Sequence, residues 1–359
     1  MSNIIHLNVP NQRQSDSDRQ AALIASFAQH RRFGDDVFWL KENAELLNIL
    51  ECTDARPGAD ALAPHQGFYD QVEKRMGFFP QYYRFLLSIC LDLEDLGLGG
   101  TKGAALAHWV NVQGLAEAEL SDLQRAEARR LLARRDVRAL EWDTGLTERL
   151  HRFINRSETF AMPNKKAAYE LTHIVFYLSE YGRRDPQLDA AAITSLEYSG
   201  ILAYLDQNAD LLAEICVALR YAGQTPSQIW EDWLERETHR FDVGAGPQVS
   251  PQDDYHEYFV CSWLMAQNGR GGFVKPAQFD RMSFQRATPY VGPLRDMSEA
   301  MFKLEEKRSD DWDAMRPHVQ NALTEIGHDI LAEAEESSEK FASFFAGFAR
   351  TGLQAGMLQ

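Results

Sequence analysis

Residues 208–223 read NADLLAEICVALRYAG. Apolar residues recur there at intervals of three and four, the period of one buried helix face. The stretch ends on Gly223, and glycine can take the left-handed conformation that closes a helix C-terminus. The same grammar governs residues 80–96, 164–181, 188–205, 226–239 and 253–267, each of which predicts one helix. Gly97, Gly182 and Gly269 end three of these as Gly223 ends its own, and Pro186 and Pro226 restart the chain afterwards. The interval from Gly182 to Gly223 is about 41 positions and from Gly223 to Gly269 about 46, while Gly97 to Gly182 is about two such steps, with Gly145 near the missing midpoint. A period in the low forties is that of a two-helix repeat, whose stacked pairs form an open solenoid or a closed ring.

The expected fold is therefore all-α: a helical-pair repeat in one α/α toroid-like domain, with an irregular helical bundle as the alternative. Residues 1–17 are polar and expected to be a disordered tail, and residues 18–296 the helical-pair domain. Its Gly- and Pro-rich segment 268–296 reads as a long loop or short hairpin. Residues 297–359 are expected to add C-terminal helices to the same domain. In the last of these Phe341, Phe344, Phe345 and Phe348 make one apolar face, which either docks on the chain's own core or pairs two copies as a homodimer.

Aligned on their terminal glycines, the helices show a polar layer. Thirteen positions before each glycine stand Arg84, Tyr169, Asp210 and His256, and nine before stand Ser88, His173, Glu214 and Val260. Residues four apart share a helix face. Six before come Leu91, Phe176, Val217 and Trp263, so one stripe runs from polar to apolar. In a toroid that stripe would line a central pocket for a small molecule or peptide, with Arg84, Tyr169, Phe176, Asp210, Tyr255, His256 and Trp263 on its walls.

His173 is the candidate base or metal ligand and Glu214 its partner; Glu170 forms an ExxH pair with His173. His173, Glu214 and His256 together would suit zinc or iron, and equally metal-free acid–base chemistry, so no cofactor is required. Each also has a structural reading: His173 as a satisfied core histidine, Asp210 as a first-turn acid favoured by the helix dipole, and His256 as an exposed first-turn residue behind an Asp253 or Asp254 cap.

The segments YELTHIVFYLSEYG (169–182), DLLAE (210–214) and DDYHEYFVCSW (253–263) resemble an uncharacterised, mainly alphaproteobacterial family of helical proteins of unknown function. The resemblance implies no catalytic residues. In architecture alone the expected toroid is similar to those of protein prenyltransferases, terpene cyclases and lanthionine cyclases, but the chain carries neither an acidic cyclase motif nor a Cys–His zinc set.

Composition narrows the partners. A net charge of −16 argues against nucleic acid, whose backbone must be neutralised by Lys and Arg, and against an anionic membrane surface. The densest basic run, Arg125 to Arg138, is interrupted by Glu127 and Asp136 and reads as a solvated helix face. Cys52, Cys90, Cys216 and Cys261 are too scattered for a metal motif and fit a reducing compartment. Ile4, Ile5 and Leu7 run straight into polar residues, so no signal peptide is expected, and no run approaches the roughly 18 apolar residues of a membrane span. The expected location is the cytoplasm. The chain has no GxSxG, P-loop, HExxH or dinucleotide fingerprint, so the function is open: a pocket that binds or modifies a small molecule or peptide, or a non-enzymatic helical scaffold.

Overall fold

A computed structural model describes residues 14–32, 36–287 and 291–351. Residues 1–13 of the expected tail lie outside that set, whereas Ser15 caps a helix that begins at Asp16 by accepting from the Asp18 backbone N–H. The chain then runs α1 (Asp16–Ala25), α2 (Val37–Cys52), α3 (Ala59–Leu62), α4 (Gln66–Phe78), α5 (Tyr83–Leu96), α6 (Lys102–Val112) and α7 (Asp122–Ala133). After these come α8 (Leu146–Ile154), α9 (Ser157–Phe160), α10 (Lys165–Leu178), α11 (Ala190–Leu205), α12 (Ala209–Tyr221) and α13 (Gln228–His239). Strand β1 (Phe241–Ala245) precedes α14 (Tyr255–Gln267) and β2 (Met282–Arg286) follows it. Helices α15 (Leu294–Leu304), α16 (Trp312–Gln320), α17 (Glu325–Ser337) and α18 (Phe341–Ala349) end the described chain. The fold is all-α apart from the one strand pair, and among the described residues no helix is long and apolar enough to cross a membrane.

Six helices pack in a closed order: α2 on α5, α5 on α7, α7 on α10, α10 on α12, α12 on α14, and α14 back on α2. Others lie against this circuit, α4 and α6 on α5, α8 on α7 and α10, α11 on α12, and α13 on α12 and α14. All six circuit helices end alike. Asp54, Gly97, Asp136, Glu180, Gly223 and Gly269 have φ of 55°, 104°, 58°, 50°, 72° and 69°. The next backbone N–H then reaches back five residues along the helix, as in Ala55 to the Leu50 carbonyl (2.9 Å), Val137 to Leu132 (3.2 Å) and Gln224 to Leu219 (2.9 Å). This is the Schellman closure, and it recurs at intervals of roughly forty to forty-five residues. The midpoint assigned to Gly145 belongs to Asp136; Gly145 instead precedes α8 with φ −91°. Pro186 and Pro226 lie in connecting segments, ahead of α11 and α13 rather than in their first turns.

The segment 268–296 is neither a plain loop nor a hairpin. Its strand β2 pairs antiparallel with β1, from Phe241 opposite Arg286 to Ala245 opposite Met282, so the two strands bracket α14. The phenylalanine face of α18 is spent inside the chain. Phe341, Phe344, Phe345 and Phe348 are 0–4 % exposed. Trp312 packs on Phe341 and Phe345 with ring centroids 5.2 and 4.7 Å away, and Tyr198 on Phe344. Burial removes that face as a dimer surface.

Arg31, 1 % exposed, ties the two ends of the circuit together. Its guanidinium grips Asp253 through two nitrogens, at 2.8 and 3.0 Å, and Glu42 of α2 at 3.1 Å. It also donates to the Met282 carbonyl of β2 at 2.6 Å and lies over the Phe27 ring. Removing one member of a buried ion network leaves the others charged and unpaired, a loss of about 3–5 kcal/mol. Arg31→Met is therefore expected to lower unfolding free energy by about that amount in urea titrations monitored by circular dichroism. A loss below about 1 kcal/mol would show that the network is not what closes the circuit.

Candidate functional site

Three short pieces of local structure place the polar residues. Asn208 caps α12, its side chain accepting from the Leu211 N–H, which sets Asp210 in the first turn and Glu214 one turn on along the same face. Asn164 caps α10 in the same way and sets Tyr169 and His173. The start of α14 is held by β2. Asp253 accepts from the Phe284 N–H (2.8 Å), Asp254 from the Arg286 N–H (3.0 Å), and the Asp254 N–H donates to the Phe284 carbonyl (2.8 Å). Both aspartates thus serve the strand, and His256 follows directly.

Asp210 is the centre. One of its oxygens accepts from the Tyr169 hydroxyl (2.9 Å) and the other from His256 Nδ1 (2.9 Å). Glu214, 2 % exposed, accepts from the Thr172 hydroxyl at 2.6 Å and lies 3.6 Å from His173 Nδ1. That nitrogen donates to the Tyr169 carbonyl (2.8 Å), which can only accept, so His173 Nε2 carries the lone pair in the neutral ring. On the far side of His256, Nε2 is 3.8 Å from Glu45 of α2. The donor atoms of Asp210, Glu214 and His256 all lie within 4.8 Å of one another. Ligands around one ion at about 2.1 Å reach such spacings with small side-chain rotations.

The electrostatics follow from crowding three carboxylates around one imidazole. Burial lowers the pKa of His256, but the hydrogen bond to Asp210 and the charges of Glu45, Asp210 and Glu214 outweigh it and raise the value to about 9. Burial works to raise Asp210, and the His256 contact reverses that and holds its carboxyl below the usual range. Glu214 has the opposite outcome: burial, reinforced by Asp210, raises it despite His173 and His256 nearby. Burial and the Asp210 charge push the Tyr169 hydroxyl up, so it stays a donor.

The expected site residues divide into two groups. Tyr169, His173, Asp210, Glu214, Tyr255 and His256 come together, but Asp210, not His173, completes the set of three converging donor atoms. Arg84 lies apart, paired with Glu119 at 2.9 Å and with Glu127. Glu170 is half-buried and joins none of these contacts. Phe176 and Trp263 do not wall an open pocket. Their rings meet 4.8 Å apart and Tyr181 stacks on Trp263, so aromatic side chains fill the space. The clefts of 460 and 880 Å³ lie elsewhere, while the 760 Å³ cleft opens beside this aromatic layer, with Tyr181 and Tyr221 in its lining.

Thr172 and Glu45 were not picked out from sequence. Glu45 stands nine residues before Asp54, as Glu214 stands nine before Gly223; the signal existed, but no glycine marked the end of α2.

Residues 1–351 match the family described as Domain of unknown function (DUF6902), and the chain belongs to that family. No curated protein and no solved structure matches it.

A raised histidine pKa contributes stability that is complete below the unfolded value of 6.5 and is lost as pH climbs through the folded value of about 9. In metal-free protein the His256 ring resonances are expected to titrate near pH 9, and Asp210→Asn to bring the midpoint down by at least a full unit. Unfolding free energy should fall between pH 6.5 and 9 in the native protein and be flatter in His256→Gln. A native midpoint near 6.5 would refute the arrangement.

Proposed function

We propose that the protein is an α/α toroid whose polar mouth holds a divalent transition-metal ion on Asp210, Glu214 and His256, and that it binds or transforms a small molecule there. One observation carries the reading: two carboxylates and an imidazole from neighbouring helices aim donor atoms at a common point, within 4.8 Å. The closed packing order of α2, α5, α7, α10, α12 and α14 supports the toroid. Tyr169 and Thr172 supply the outer hydrogen bonds that orient the two carboxylates, as the surroundings of metal ligands commonly do. One nitrogen and hard oxygens suit zinc, iron(II) or manganese(II). Such an ion with open positions would polarise a bound oxygen or lower the pKa of a bound water.

The chain's own residues have definable parts in this reading. His256 must release its proton to ligate, so affinity rises with pH up to about 9. His173 keeps Nε2 free as a base behind the ligands, and burial raises the pKa of Glu214. Four free cysteines, three of them buried, agree with a cytoplasmic setting. The alternative, a scaffold without catalysis, would no longer rest on Phe341–Phe348. It would rest on Phe78 and Phe79, which with Val37 and Tyr82 line the 880 Å³ cleft. Phe78 is 77 % exposed.

The test is metal content and uptake. Chelator-treated protein at pH 8 is expected to take up about one equivalent of zinc, manganese or iron(II), with proton release. His256→Ala should abolish uptake with an unchanged far-ultraviolet dichroism spectrum. His173→Ala should weaken it by about 10–100-fold at most, since that residue sits behind the ligands. Uptake below about a tenth of an equivalent for all three ions would sink the metal reading and leave the scaffold.

A further inference from the structure

The chain is acidic overall, yet one cleft is cationic. It measures 460 Å³ and lies between α7, α8 and the segment after α10. Arg129 and Arg130 of α7, Arg184, and Thr147 and His151 of α8 line it, with Glu180 and Asp185 as its acidic residues. Elsewhere along the same run the arginines are well matched: Arg134 meets Asp92 at 2.7 Å and Arg135 meets Glu94 at 3.0 Å. In the cleft they are not. Among the described residues Arg129 has no carboxylate in ion-pair range, and its side-chain contact is Nη2 to the Thr147 hydroxyl at 3.1 Å. Arg130 is 4 % exposed, which corrects the solvated face expected of this run. Its Nε is 3.2 Å from Glu180, but Nε and Nη2 find no hydrogen-bond acceptor. Arg184 approaches the same Glu180 at 3.4 Å, so one carboxylate serves two guanidiniums and the third has none.

A buried guanidinium with unsatisfied N–H groups is costly, and three guanidiniums sharing Glu180 and Asp185 leave this cleft with an excess of positive charge that an outside anion would offset. Burial, then the Arg184 charge, lowers the Arg129 pKa, the direction expected of like charges held together. The wall that holds Arg184 is itself strained: Glu180 and Tyr181 are consecutive left-handed residues, at φ 50° and 52°. The guanidinium of Arg130 is fixed over the Tyr181 ring, 4.3 Å from its centroid.

We infer that this cleft binds the phosphate group of a small phosphorylated molecule, at a site independent of the proposed metal centre. Guanidinium forks from two elements, a hydroxyl and an imidazole approach from different sides, which suits a tetrahedral dianion with three free oxygens better than a planar monoanion. The volume falls within the range of small-molecule sites.

The experiment uses chelator-treated full-length protein at fixed ionic strength, titrated calorimetrically with inorganic phosphate and separately with succinate. Phosphate is expected to bind saturably, with a dissociation constant of about a millimolar or tighter. Arg129→Gln should weaken it at least about ten-fold, while Arg152→Gln, an exposed arginine outside the cleft, should leave it within about two-fold. If Arg129→Gln fails to fold, Arg184→Gln, on the segment after α10, carries the same expectation. Absence of saturable phosphate binding, equal affinity in the cleft and control variants, or tighter binding of succinate than of phosphate would each overturn the proposal.

Discussion

The circuit of helices closes on a single buried guanidinium. Arg31 follows α1, Glu42 belongs to α2, Asp253 precedes α14 and Met282 begins β2, so two regions more than 200 residues apart in sequence meet at one side chain. Burying a cation so completely is tolerable only when carboxylates and carbonyls replace its hydration shell, and the rigid fork of arginine offers five donors for that purpose. The consequence reaches beyond stability. Asp253 binds Arg31 and the Phe284 N–H with the same carboxylate, which fixes β2 against the start of α14 and thereby places His256 opposite Asp210. The geometry of the site depends on a contact that touches none of Asp210, Glu214 and His256.

The repeat was legible in the sequence wherever glycine spelled it out. Gly97, Gly223 and Gly269 stop α5, α12 and α14 because a residue without Cβ enters the left-handed region freely. The other three circuit helices make the same turn with Asp54, Asp136 and Glu180, which have a Cβ and pass unnoticed in a glycine search. In those helices the closing hydrogen bonds and apolar packing compensate the local strain. Aspartate tolerates this conformation better than most residues, so the spacing of Asp54 and Asp136 was readable in principle; Glu180 was not. Gly182 does have positive φ, but it is the third left-handed residue in a row, and the turn that closes α10 is made at Glu180.

The polar layer could be read because residues four apart on a helix share a face, whatever the fold. That logic brought Tyr169, Asp210 and His256 together, and Asp210 is hydrogen-bonded to both of the others. It failed for the apolar layer for a reason of volume. A stripe pattern says which way side chains face and is silent on how far they reach. Phe176, Tyr181, Tyr221 and Trp263 are large enough to meet one another, so a face expected to line a cavity became a plug. Arg84 was drawn aside by carboxylates of other elements, Glu119 and Glu127, which no single-helix register can foresee.

The aromatic plug and the polar cluster constrain each other. The charged groups are largely withdrawn from solvent, so their mutual repulsion is poorly screened. Asp210, Glu214 and Glu45 crowd His256, with His173 beside Glu214, and the pKa values respond to that crowding: His256 is raised to about 9 and Glu214 is raised. A divalent cation at the same point would supply positive charge without the protons, and on the proposed reading it competes with them directly. Protonation and metal binding are then two solutions to one electrostatic problem, set by carboxylates that local helix geometry forces together. A bland core histidine would have been neutral and lowered in pKa, as His65 is: fully buried, with no carboxylate bonded to its ring and a pKa pushed down by burial to about 3. The contrast between His65 and His256 within one chain separates a packed histidine from one whose pKa neighbouring carboxylates raise.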